Sequence, residues 1–112
     1  MPDVMIDRHI SPRYPLVLIA EVIELSSHSK MSARSSDVSR TGCYVDTLNP
    51  LTSGTKVLVR LTRGKDVFES SGTVRYVSPG LGMGIQFDEH IPTNYLALLD
   101  HWLEDAARRN SY

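Results

Sequence analysis

Lys56-Val57-Leu58-Val59-Arg60-Leu61 sets Val57, Val59 and Leu61 on one side of an extended chain and Lys56, Leu58 and Arg60 on the other. Successive strand side chains point to opposite faces, so this alternation predicts a half-buried β-strand. Arg63-Gly64-Lys65-Asp66 follows as a hairpin loop. Phe68, Val74 and Tyr76 mark the next strand, with Gly72 as a bulge position, before Ser78-Pro79-Gly80 turns the chain into a last strand, Leu81 to Phe87. Working upstream, Asn49-Pro50 to Ser53-Gly54 is a turn and Cys43 to Thr47 a short strand. Asp37-Val38-Ser39-Arg40-Thr41-Gly42 is a loop by composition. Lys30 to Ser36 places Met31, Ala33 and Ser35 on one face, and Leu16 to Leu25, rich in β-branched residues, reads as one long strand. Six short strands joined by tight turns predict a six-stranded antiparallel β-barrel, a closure that removes exposed strand edges.

The period changes near the C-terminus. Leu96, Leu99, Leu103 and Ala106 recur at helical spacing, with Leu98 and Trp102 widening the stripe. Pro92 suits a first-turn position, Thr93 is the alternative N-cap, and Arg108 and Arg109 lie at the end favoured for cations. The expected plan is therefore one domain: a flexible N-terminal arm over 1–15, a barrel over 16–91 and an α-helix over 92–109. Two coverings of the helix stripe are open. One is burial within the monomer, and the other is a partner or dimer surface built around Trp102.

Composition narrows the function classes. A chain of 112 residues holds one core, and no run of 18 apolar residues is present to cross a membrane as a helix. The first residues carry acids where a secretory signal needs bases, and the single Cys43 has no partner for an internal disulfide, so a cytoplasmic setting is expected. His9, His28, His90 and His101 are scattered without the clustering a metal site needs. Gly80 to Gly84 lacks the strand–turn–helix context of a phosphate loop. No nucleophile–base–orienter set emerges, so neither catalysis, a metal nor a cofactor is expected.

The net charge of −1 hides an arrangement: residues 30 to 75 hold eight bases against four acids, and residues 88 to 112 two bases against five acids. Nine of the twelve bases are arginine, whose planar fork suits phosphates and guanine edges better than the point charge of lysine. Arg8 and Arg13 stand on the arm, where arginines pack no core. In the Asp37–Gly42 loop, the Asp and Ser side chains are suited to capping the backbone and Gly42 to a positive φ; alone, such a hexapeptide is a well-formed turn. The same charge and arginine bias also suit a small RNA-binding barrel. Single-strand binders display stacking aromatics, and of Phe68, Tyr44 and Tyr76 at least two are expected to face the core, which disfavours a nucleic-acid polymer.

Taken together these features resemble the PilZ family. Asp37-x-Ser39-x-x-Gly42 matches its Asp/Asn-x-Ser-x-x-Gly motif, the basic arm is similar to its Arg-x-x-x-Arg segment, and Leu81-Gly82-Met83-Gly84-Ile85-Gln86-Phe87 resembles its barrel-closing strand. The resemblance implies a PilZ-like barrel that binds cyclic di-GMP on its outer surface, with the arm folding over the ligand and a signal passing to an effector protein. Carried over by position, Arg13 contacts phosphate and guanine, Asp37 accepts hydrogen bonds from a guanine edge, Ser39 bonds the ligand through its hydroxyl, and Gly42 allows close backbone approach. The strict arm spacing is broken: His9 stands four residues before Arg13, with Arg8 beside it. Arg8, His9 and Arg40 complete the expected ligand set, and the expected state is a monomer or weak dimer. The alternative implied by the broken arm is a PilZ-fold protein-interaction module that does not bind cyclic di-GMP.

Overall fold

Which side chains each strand buries follows from the alternation, and the burial in turn sets the sheet. The structure, a computed structural model, describes residues 11–109. Its strands are β1 (Tyr14–Pro15), β2 (Ile19–Glu24), β3 (Lys30–Val38), β4 (Gly42–Asp46), β5 (Lys56–Arg63), β6 (Asp66–Ser78) and β7 (Gly82–Phe87), followed by one helix, α1 (Thr93–Arg109). All pairings are antiparallel, in the order β3-β2-β5-β6-β7-β4, and a β4–β3 pairing closes the ring. The expected six-stranded barrel is present, with β1 added to β3 as a short extra strand. Val57, Val59 and Leu61 of β5 are fully buried, as the alternation predicted.

Several local expectations are corrected. The stretch from residue 16 to 25 is not one strand: Leu16–Leu18 interrupts the ladder between β1 and β2, though the Leu16 amide still donates to the Ser36 carbonyl and the Leu18 carbonyl accepts from the Ser35 amide, and the two strands share one edge of β3. Buried Ser35 spans that gap, its hydroxyl donating to the Leu16 carbonyl (2.8 Å) and accepting from the Leu18 amide (3.0 Å). These backbone groups would otherwise be unpaired inside the protein. Residues 14 and 15, assigned to the arm, pair with Val38 and Asp37, so the sheet, through its extra strand, begins earlier than residue 16. Asp37 and Val38 belong to β3 rather than to a loop. Gly72 keeps regular register with Val57, and the β6 irregularity falls between Val74 and Tyr76 instead.

The helix closes one end of the barrel. Leu99, Trp102, Leu103 and Ala106 are buried in the same core as the strand residues, and Phe68 touches both the Phe87 ring (centroids 5.1 Å apart) and the Tyr95 ring (6.0 Å). Trp102 is 1% exposed, so the partner surface expected around it is not there: the barrel end covers the stripe by itself. Two ion pairs fasten the helix to the barrel, Arg40 to Asp100 (2.8 Å) and Arg63 to Asp105 (2.6 Å). The basic body and acidic tail read from the sequence thus meet each other across the helix–barrel seam.

Candidate functional site

Two β-bulges shape the outer wall. In β3, register shifts between Ser35 and Asp37; in β6, it shifts between Val74 and Tyr76. Each bulge turns two consecutive side chains away from the core, Ser36 with Asp37 and Arg75 with Tyr76. The shifted register then lays one cross-strand row over four strands: Asp37 opposite Tyr44, Tyr44 opposite Gly84, and Gly84 opposite Tyr76. Three strand spacings separate the ends of the row, about 14 Å at roughly 4.8 Å each. The middle of the row is low because Gly84 has no side chain. The Tyr76 ring lies where a Cβ on Gly84 would stand, so any larger residue there displaces it.

The row floors an open recess of about 740 Å³, lined among others by Ser11, Arg13, the segment from Asp37 to Gly42, Tyr44, Arg75, Tyr76 and Gln86. Tyr44 and Tyr76 both face outward, with ring centroids 6.1 Å apart. Only Phe68 of the three aromatics considered points into the core, so the expectation that two would do so is corrected. Arg13 donates from a guanidinium nitrogen to the Tyr76 hydroxyl at 3.2 Å, reaching over the recess from the segment that precedes β1.

The expected ligand residues divide into three groups. Arg13 and Asp37 line the recess, and Asp37 makes no side-chain hydrogen bond or ion pair with a described residue. Ser39, Arg40 and Gly42 line it too but have structural work. Ser39 is 4% exposed; its hydroxyl is hydrogen-bonded to that of Thr41 (3.2 Å), accepts from the Thr41 amide (3.1 Å) and donates to the Gly42 carbonyl (3.3 Å). It holds the turn, where the expectation gave its hydroxyl to the ligand. The Arg40 guanidinium is engaged by Asp100 through two nitrogens. Gly42 sits in β4 without a positive φ; a Cβ there would overlap the Ile85 carbonyl, so the neighbouring strand is what requires glycine. Arg8 and His9 lie outside the described residues.

Sequence reasoning missed Arg75 and the row it joins. Among the described arginines, Arg34, Arg40, Arg60, Arg63, Arg108 and Arg109 all pair with carboxylates. Arg13 and Arg75 do not, and both line the recess. The available signal was the pair Arg75-Tyr76 ending a strand whose inward positions had already been assigned. Cys43 lies beneath the site; burial pushes its thiol up to about 12, so it is inert at neutral pH. No cluster of metal-ligating side chains occurs among the described residues.

A family model, PilZ domain, matches residues 7–105. The PilZ domain of YcgR from Escherichia coli, solved with c-di-GMP, is similar at TM-score 0.74 and 16% identity, over 92% of this chain and 94% of that one. The Bacillus subtilis inhibitor of motility, MotI/DgrA, is similar at TM-score 0.72 and 17% identity, over 91% of this chain and 53% of that one; the chain spans about half its length. The Borreliella burgdorferi PlzA protein, solved in complex with c-di-GMP, gives TM-score 0.64 at 16% identity over 89% of this chain and 43% of that one. The curated proteins contain no match by sequence. The family match covers the whole barrel and most of the helix, and the closed barrel agrees with the solved domains: this chain belongs to the PilZ domain family.

Proposed function

We propose that the protein is a cyclic di-GMP receptor and adaptor that performs no catalysis, and that the recess over Asp37, Tyr44, Gly84 and Tyr76 is its ligand site. The carrying observation is that Arg13 and Asp37, unpaired with any described ion partner, line one recess floored by two outward tyrosines. The chemistry divides naturally. Guanine presents N–H donors on its Watson–Crick edge, which a carboxylate accepts, and O6 and N7 acceptors on its other edge, which an arginine fork satisfies. The tyrosine faces supply stacking. Arg13 already bonds Tyr76, so a ligand entering the recess trades that contact for its own phosphates and bases, and the segment around Arg13 is reshaped. The reshaped arm and barrel face is what an effector protein reads, provided the ligand prefers the ordered arm.

The test is an amide NMR titration with cyclic di-GMP. Shifts concentrated at residues 11–15, 37–42 and 75–76 are expected, with Arg13→Ala and Asp37→Ala abolishing them. A spectrum unchanged at saturating ligand refutes the reading. A second reading, a PilZ-fold interaction module without a nucleotide, is favoured by the internal engagement of Ser39 and Arg40. It predicts partner binding that is indifferent to the nucleotide.

A further inference from the structure

We propose that Arg75 and Tyr76 form the far wall of the ligand site, Arg75 binding a phosphate of the cyclic purine dinucleotide and the Tyr76 ring stacking on one of its bases. The proposal rests on the receptor reading above and adds to it residues outside the motif that carried the family resemblance. Three observations support it. The β6 bulge turns both side chains outward together, onto the recess that Arg13 and Asp37 line. Arg75 is, with Arg13, one of two described arginines with no carboxylate partner, so its fork is available to a phosphate without breaking a bond. The Tyr76 ring is seated against Gly84 and 40% exposed, and the Tyr44 ring stands beside it. Such a ring is a fixed platform with a free face.

The arrangement also answers the broken arm. Where the resembled motif has its first arginine, four residues before Arg13, this chain has His9, an imidazole without arginine's permanent charge. Arg75 supplies a permanent second cation from the rigid barrel instead. A cation held on a strand bulge has little freedom left to lose on binding.

The experiment is calorimetric titration of cyclic di-GMP into the wild type and into Arg75→Ala, Arg75→Lys, Tyr76→Ala, Tyr76→Phe and, as a charge control distant from the recess, Lys65→Ala. Arg75→Ala is expected to weaken binding about tenfold or more, and Arg75→Lys to recover part of it, because an ammonium keeps the charge but not the fork. Tyr76→Ala is expected to cost about tenfold, and Tyr76→Phe to stay within about threefold because the stacking face remains. Lys65→Ala is expected to match the wild type. Arg75→Ala binding within about twofold of the wild type overturns the assignment of Arg75. Tyr76→Ala doing so overturns the stacking role. A wild type that gives no binding at millimolar ligand overturns the receptor reading itself, and is distinguished from these by needing no variant.

Discussion

The helix-capped end of the barrel and the recess across β3, β4, β7 and β6 are built from the same residue types and put them to opposite use. At the capped end, Arg40 and Arg63 are matched to Asp100 and Asp105, and Tyr95 packs on Phe68. In the recess, Arg13 and Arg75 have no carboxylate partner among the described residues, and Tyr44 and Tyr76 face outward. Composition alone does not separate the two. What separates them is whether the fold brings a carboxylate or an apolar cover opposite each side chain. Groups matched in charge or covered hold the molecule together, and groups left without an opposite charge or a cover are the ones with chemistry to offer.

The contrast is broken most forcefully at its core. Trp102→Ala is expected to cost about 3–5 kcal/mol, read as a lower denaturant midpoint, because it opens a void between helix and barrel. A loss near zero would mean that the helix does not seal the barrel. The opposite pattern is expected in the recess. Arg13→Ala should change stability by less than about 0.5 kcal/mol while weakening cyclic di-GMP binding about tenfold or more. Equal losses in both properties would erase the distinction between the regions.

Gly84→Ala sharpens the comparison from between the two. Its new methyl group displaces the Tyr76 ring, which is free to swing into solvent, so a stability cost of about 1 kcal/mol and several-fold weaker ligand binding are expected. Unaltered binding would show that the seat of Tyr76 is unimportant to the site.

The smallest effects are in pH dependence. The hydrogen bond from Arg63, with the charges of Arg109, Arg63 and Arg108, holds the Asp105 carboxyl below its ordinary value. The unfolded chain then takes up this proton at higher pH than the folded one. The stabilisation is present above the ordinary carboxylate range and is lost as pH falls through the folded value. Asp105→Asn should flatten the acid limb of a stability–pH curve. The Cys43 thiol runs the other way: raised to about 12 by burial, it stays protonated in the fold while the unfolded chain ionises. Stability should therefore fall as pH rises from the ordinary thiol range toward 12, and Cys43→Ala should remove that part of the slope. Unchanged limbs in either variant would contradict the corresponding assignment.

Strand alternation made the barrel legible, since Val57, Val59, Leu61, Phe68 and Val74 point inward as their spacing demands. The local motif around Asp37 and Ser39 marked the right place on the wall. The bulges were not legible. A bulge shifts facing by one residue at a single point, and period-two reasoning averages over it, which hides Arg75; at Asp37 the turn-forming composition of the hexapeptide masks the end of the strand. The β1 pairing was hidden because the strand is only two residues long and one of them is Pro15. The fates of Arg40 and Ser39 were illegible for another reason. Whether a side chain is free depends on what lies opposite, and Asp100 is sixty positions from Arg40 in sequence. The same holds for Trp102, whose burial is decided by the barrel end rather than by its own helix.

The central claim is that the recess with Arg13 and Asp37 takes cyclic di-GMP, and calorimetric titration of the wild-type chain beside Arg13→Ala and Asp37→Ala tests it most directly. The account predicts micromolar or tighter binding by the wild type, lost in both variants while their melting curves stay close to the wild type. No binding at millimolar ligand, or undiminished binding in either variant, would contradict it.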